Sequence, residues 1–143
     1  MTVKQFSVFL ENKKGTLAEV LKLLSAKGVG IRALSIADTS DFGILRFIAS
    51  DNDAATEALK EDGCIFSLNE VIAAKMSDQP GGLADLLEIL SENGVEVEYL
   101  YALVIKSGHE ACVIVRVNDN ETATKLLKEA NIPLMTQEEI VNY

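Results

Sequence analysis

Apolar positions along the chain change period repeatedly, and each change marks an element. Residues Lys4 to Leu10 alternate, with Phe6, Val8 and Leu10 on one side, which predicts a strand. Leu17, Val20, Leu21 and Leu24 then recur at helical spacing, and Gly28 closes that helix. Ile31 to Ala37 and Ile44 to Ala49 read as two strands joined through Thr39-Ser40-Asp41. Asp51-Asn52-Asp53 offers N-caps to a helix carrying Ala55, Ala58 and Leu59. Gly63 ends it, and Cys64-Ile65-Phe66 resumes extended structure. The same order then returns, with strands at about Val71 to Met76, Val95 to Ile105, Ala111 to Val117 and Pro133 to Met135. Helices are predicted at about Leu83 to Asn93 and Glu121 to Ala130.

The return is a duplication. Shifting the sequence by 66 lays Glu11 to Ile36 over Ser77 to Ala102 with nine of 26 pairs identical, Gly15/Gly81, Leu24/Leu90 and Gly28/Gly94 among them. Unrelated sequences of average composition would match at roughly two. Beyond that the shift is 68, and Asp51 to Glu61 matches Asp119 to Glu129 at seven of 11 positions. Both copies close alike, Ser67-Leu68-Asn69-Glu70-Val71 and Thr136-Gln137-Glu138-Glu139-Ile140, a capping-box spacing that predicts a short helical turn. The boundary therefore falls near residue 70, giving units 1–69 and 70–143. Each reads βαββαβ, so the expected fold class is α+β: two ferredoxin-like units in tandem, antiparallel sheets with helices on one face.

Such a sheet should be polar on its outer face. Tyr99 to Ile105 and Ala111 to Val115 are instead apolar at both alternating sets. Burying a large apolar side chain is worth about 1.5–3 kcal/mol, so homodimerisation or docking onto a partner is expected to cover that face.

Charge and composition narrow the functions. A net charge of −9, from 13 Lys+Arg against 22 Asp+Glu, repels phosphate backbones and anionic lipid. No apolar run approaches a membrane span, and Phe6 to Leu10 is too short for a signal peptide. The expectation is a cytoplasmic protein without nucleic-acid or membrane partners. Cys64 and Cys112, at non-equivalent repeat positions, read as buried strand thiols. His109 is the one histidine and falls in the expected hairpin Lys106 to Glu110, so neither a metal site nor a Ser–His–Asp triad is expected. No cofactor is expected either.

The turn between first strand and first helix is the most informative segment of each copy. It reads Asn12-Lys13-Lys14-Gly15-Thr16-Leu17 and Asp78-Gln79-Pro80-Gly81-Gly82-Leu83. A glycine turn leaves helix N-terminal N–H groups pointing outward, where they and the helix dipole favour a carboxylate or other small anion. Asn12 or Asp78 could receive a ligand amino group. From spacing alone, plain helix capping by Asn12 and Asp78 is the simpler reading.

The doubled βαββαβ pattern, with Asp78-Gln79-Pro80-Gly81-Gly82-Leu83-Ala84-Asp85-Leu86-Leu87 and later Asn93-Gly94-Val95, resembles a tandem ACT-domain protein over nearly the whole chain. The resemblance implies a non-catalytic regulatory sensor, usually of an amino acid, with the ligand held where the strand–helix turn of one unit faces the second strand of a neighbouring unit. Carried onto this chain, it singles out Asn12, Lys14, Gly15, Thr16 and Leu17 with Leu34, Ser35 and Ile36. In the second copy it singles out Asp78, Gln79, Pro80, Gly81, Gly82 and Leu83 with Leu100, Tyr101 and Ala102. The first turn departs from the family pattern, having Lys14 where Pro80 stands in the second. Two such units use the chain fully, so a stand-alone sensor is implied, with any regulated enzyme on another chain. The alternatives are a ligand-free dimerisation module and a small acylphosphatase-like hydrolase. The hydrolase would need a cationic cradle, and Arg32, Arg46 and Arg116 follow no glycine-rich turn.

Overall fold

The computed structural model describes residues 1–103 and 110–143. The chain divides into two compact units, Lys4–Asn69 and Glu70–Val141; Met1–Val3 and Tyr143 group with the second and Asn142 with the first.

In the first unit, β1 (Val3–Glu11), α1 (Thr16–Ala26), β2 (Ile31–Asp38), β3 (Phe42–Ala49) and α2 (Asn52–Glu61) follow in sequence. β3 pairs antiparallel with both β1 and β2, giving the order β2-β3-β1. On the far side of β1 the Phe9 N–H donates to the Ile65 carbonyl at 2.9 Å. The core is the side of this sheet that meets the helices. Phe6, Val8, Leu45 and Phe47 pack there against Val20 and Leu24 of α1 and Ala55, Ala58 and Leu59 of α2. The Phe6 and Phe47 rings stack at 5.1 Å.

The second unit repeats the plan with β4 (Phe66–Ser77), α3 (Gly82–Glu92), β5 (Val97–Leu103), β6 (Glu110–Val117) and α4 (Asn120–Glu129). Its order is β5-β6-β4. Ile72, Ala74, Val113 and Val115 face Leu86 and Leu90 of α3 and Ala123 and Leu127 of α4. The second helices start as expected: Asp51 and Asp119 accept the N–H groups of Ala54 and Thr122, each at 3.0 Å. The fold is thus two ferredoxin-like βαββαβ units in tandem.

Three expectations are corrected. Ser67 to Val71 is no helical turn; it lies within β4, a strand that runs unbroken from Phe66 to Ser77. Its counterpart Thr136 to Ile140 does turn, into α5 (Gln137–Val141). The strand expected at Pro133 to Met135 reduces to one bridge, Ala74 to Leu134, flanked by Lys75 N–H to Pro133 O and Met135 N–H to Ala73 O, both 2.8 Å. The outer face of β5 and β6 is also closed already. Tyr101, Leu103, Cys112 and Ile114 are 8%, 5%, 0% and 0% exposed in the single chain. The case for an outside cover at these strands therefore falls away. Val104, Ile105, Lys106 and His109 lie outside the described residues.

Candidate functional site

Both strand–helix turns use one backbone device. Gly15 (φ 88°) and Gly81 (φ 96°) are left-handed and stand at the N-caps of α1 and α3, and no side chain caps either helix. Asn12 and Asp78 are therefore not caps, which overturns the simpler reading of their spacing. The first-turn N–H groups of Leu17 and Ala18, and of Leu83 and Ala84, have no acceptor within their helices. The second turn is tighter, because a Cβ on Gly82 would stand 2.5 Å from the Ser77 carbonyl oxygen.

The polar side chains of the two turns differ in freedom. Asn12 Nδ2 donates to the Thr39 and Ser40 carbonyls at 3.3 and 3.2 Å, and its backbone N–H to Asp41 O at 3.0 Å. It straps the first turn to the β2–β3 hairpin. The Thr16 hydroxyl donates to Lys13 O at 3.1 Å. Lys13 pairs with Glu11 at 2.6 Å, which raises the lysine's pKa and lowers the carboxyl's. Lys14 is exposed. Asp78 is exposed and makes no hydrogen bond or ion pair among the described residues. Gln79, whose carbonyl accepts the Gly82 N–H at 3.1 Å, and Pro80 are exposed beside it.

The second-strand residues divide by face. Leu34 and Ile36 stand opposite Phe47 and Leu45, on the helix side, yet are 44% and 48% exposed because β2 is the edge strand. Ser35, opposite Arg46, points the other way. In β5, Leu100 and Ala102 stand opposite Val115 and Val113, again on the helix side, whereas Tyr101 stands opposite Ile114 and is buried. Tyr101 is thus packed rather than offered to a ligand. In the first unit β3 separates β2 from β1, and in the second β6 separates β5 from β4. Turn and second strand do not meet within one unit.

One hollow was not foreseen. A cavity of about 540 Å³ borders the start of α3, lined by Lys75, Ser77, Gly82, Asp85 and Glu110 with Met76, Leu86 and residues 131–133. Of these only Gly82 was singled out from the sequence. The signal was present in the repeat: Lys75 and Glu110 replace Phe9 and Phe42 of the first copy. One ammonium and two carboxylates on apolar walls suit a small zwitterion.

The remaining reactive groups are committed or quiet. Arg116 Nε donates to Glu98 at 3.1 Å and its terminal nitrogen to the Glu70 carbonyl at 2.8 Å, so it cradles no phosphate. Cys112 is fully buried, and desolvation pushes its thiol up to about 11. Cys64 departs from expectation, being half-buried in the loop before β4; burial and the neighbouring Asp62 raise its pKa too. Protonated thiols are poor nucleophiles. Among the described residues no three His, Cys, Asp or Glu gather as a metal site, and no helix is long and apolar enough to cross a membrane.

Comparison with known proteins agrees with this geometry. The family described as an ACT domain pair matches residues 1–143. A solved structure of protein BT0572 from Bacteroides thetaiotaomicron is 36% identical, with TM-score 0.93, covering 100% of this chain and 98% of that one. The regulatory subunit of aspartate kinase from Thermus thermophilus, ligand-free, shares the fold at 18% identity and TM-score 0.63, covering 89% and 91%. E. coli aspartokinase III in complex with lysine and aspartate aligns at 16% identity and TM-score 0.50, covering 90% of this chain and 31% of that one. No curated protein matches.

Proposed function

The chain belongs to the ACT domain family, as a pair of ACT units, and from that premise we propose that it is a regulatory sensor that binds a free amino acid. The observation that carries this reading is the uncapped helix start behind a left-handed glycine, present in both units. A ligand carboxylate would accept the N–H groups of Leu83 and Ala84, where the helix dipole adds to the hydrogen bonds. Asp78, exposed and without a partner among the described residues, would receive the α-ammonium group. The exposed edge residues Leu34 and Ile36 would contact the ligand's side chain from a neighbouring unit, since no single unit brings turn and edge together.

The second turn suits this role better than the first. In the first, Asn12 is spent on the hairpin and Lys13 on Glu11. In the second, Asp78 has no partner among the described residues and the charged hollow opens beside Gly82. The readout would be a shift between states of different ligand affinity, which is the only way a ligand can move an equilibrium. The solved aspartokinase complex makes lysine and aspartate the first compounds to try.

The test is a thermal-shift screen of the full chain against the twenty amino acids, with calorimetry on any hit. A ligand at 100 times its Kd adds about 2.7 kcal/mol, which moves the midpoint of a domain this size by roughly 5–10 °C. Asp78→Ala should then lose most of the affinity while keeping the unliganded midpoint. A flat panel, or unchanged affinity in Asp78→Ala, removes this assignment.

A further inference from the structure

The two copies finish differently, and the difference leaves one row of a sheet face exposed. In the second unit Ala74 and Val113 face the helices, so Lys75 and Cys112, next along β4 and β6 and paired with each other, point the opposite way. Leu103, paired with Cys112, joins them. α5 starts beside that face: it follows the Pro133 to Met135 segment, which bonds to Lys75 and Ala73, and Glu139 lies near enough to Lys75 to feel its charge. By repeat position, Leu103, Cys112, Lys75 and Pro133 correspond to Ala37, Ile44, Phe9 and Ile65. In the first unit Ala37 pairs with Ile44, Ile44 with Phe9, and the Phe9 N–H bonds to Ile65, so these four form a row across the sheet.

That row has no helix over it, because the residues matching α5 are drawn into β4. Phe9, Phe42 and Ile65 stand 50%, 58% and 72% exposed. Phe9 and Phe42, with Ala37, Asp38, Thr39 and Ile44, edge a hollow of about 480 Å³. Exposed apolar groups in a row of this kind mark an interaction surface. Asp38 and Asp41 are exposed at its rim and make it acidic; Glu11, opposite Phe42, is already paired with Lys13. The cations beside it are engaged: Lys13 pairs with Glu11 at 2.6 Å, and Arg46, in the next row of the same face, is half-buried and already partnered.

We propose that this row docks an amphipathic helix of another protein, its apolar side seated on Phe9, Phe42, Ile44 and Ile65 and its flanking lysines or arginines on Asp38 and Asp41. The second unit sets a helix directly after the matching edge segment, α5 following Pro133 to Met135 with Glu139 near Lys75, which makes a helix the occupant to expect here. There an acidic helix meets Lys75; here the lysine is replaced by Phe9 and the acids lie on the sheet, so the complementary helix is basic. A second copy of this acidic chain is the poorer occupant, because a two-fold contact here would bring two acidic rims into one interface. The proposal is independent of the amino-acid site.

The test uses the full chain and a fluorescein-labelled amphipathic peptide of about 16 residues, long enough to form a helix, with Leu and Phe on one side and Lys on the other. Its twin carries Glu for Lys. Fluorescence anisotropy should show the lysine peptide binding about tenfold or more tighter than its twin, and weakening as salt screens the rim. Phe42→Ser and Ile65→Ser should each cost about tenfold; both side chains are exposed, and unchanged thermal midpoints would show the fold intact. Equal binding of the two peptides, or no loss in either variant, overturns the proposal. So does a dimer by light scattering that Phe42→Ser makes monomeric, which would give the row to a second copy. Strong enhancement of anilinonaphthalene sulfonate that the lysine peptide fails to displace would also overturn it, in favour of a small apolar ligand.

Discussion

The Thr136 N–H donates to the Glu139 carboxylate at 2.7 Å while the Glu139 N–H donates to the Thr136 hydroxyl at 3.1 Å. This reciprocal pair starts α5 and sets Ile140 into its buried position. Ser67 and Glu70 have the same spacing but lie in a strand. There Val71, Ile72, Ala73 and Ala74 follow as a fully buried run, and their burial outweighs a local cap.

The α5 turn should therefore be a measurable source of stability. Thr136→Ala should cost about 0.5–2 kcal/mol, the usual loss of a cap. Ile140→Ala should cost about 2–5 kcal/mol, because it empties a closed site. Urea unfolding checks both. A loss for Ile140→Ala no larger than for an exposed residue would mean that α5 adds little to the second unit.

A second prediction concerns the turns. Gly15→Ala and Gly81→Ala each force a left-handed backbone on a residue with a Cβ, at about 1–2 kcal/mol. Gly82→Ala acts otherwise: its Cβ would press on Ser77 O, so the turn must move. Gly82→Ala should thus abolish amino-acid binding, while Thr16→Ala, at the matching position of the first turn, leaves the second site intact. Calorimetry with the amino acid found by screening tests both, and undiminished binding in Gly82→Ala would place the ligand elsewhere.

Much of this fold was legible because period and repeat agreed at every level. The alternation of Phe6, Val8 and Leu10, the helical spacing of Leu17 to Leu24 and the Asp51 and Asp119 caps all formed as read. What failed was decided by tertiary context. The Ser67 capping box lost to strand burial, and Asn12 was drawn from a capping role to the Thr39 and Ser40 carbonyls. The hollow beside Gly82 was hidden because its walls come from segments far apart in sequence, Lys75, Asp85, Glu110 and Pro133. Which side of a strand is covered is also invisible to periodicity, as buried Tyr101 and exposed Phe9 show.

The third prediction concerns acid. Glu11 and Glu61 are held below the usual carboxylate range first by hydrogen bonds to Lys13 and Lys27, Asp119 by its bonds to Thr122, and Glu139 by the Thr136 N–H. A carboxyl depressed in the folded state adds stability above its unfolded pKa, about 4, and loses it as pH falls through the folded value. Stability should therefore decline below about pH 4. Added salt should blunt the share carried by the exposed lysine pairs but not that of the Asp119 and Glu139 bonds to the backbone. Urea titrations at two ionic strengths separate the two, and equal salt sensitivity of Asp119→Asn and Glu61→Gln would contradict the division.

Alkali offers the opposite case at Cys112. Burial pushes this thiol up to about 11, with the Lys75 ammonium only partly opposing the shift, while an unfolded cysteine ionises near 8.5. Below about pH 8 the thiol is neutral in both states and has no effect on stability. Between about 8.5 and 11 the unfolded chain gives up the proton and the folded chain keeps it, so stability falls as pH rises. Cys112→Ala should remove this slope, at the cost of a small cavity. The same burial predicts that 5,5′-dithiobis(2-nitrobenzoic acid) at pH 8 modifies Cys64 in the folded protein, slowly because its thiol is also raised, and reaches Cys112 only on unfolding. Rapid modification of two thiols in the folded chain would show that the β6 face opens readily, which the full burial of Cys112 between Leu103 and Lys75 opposes.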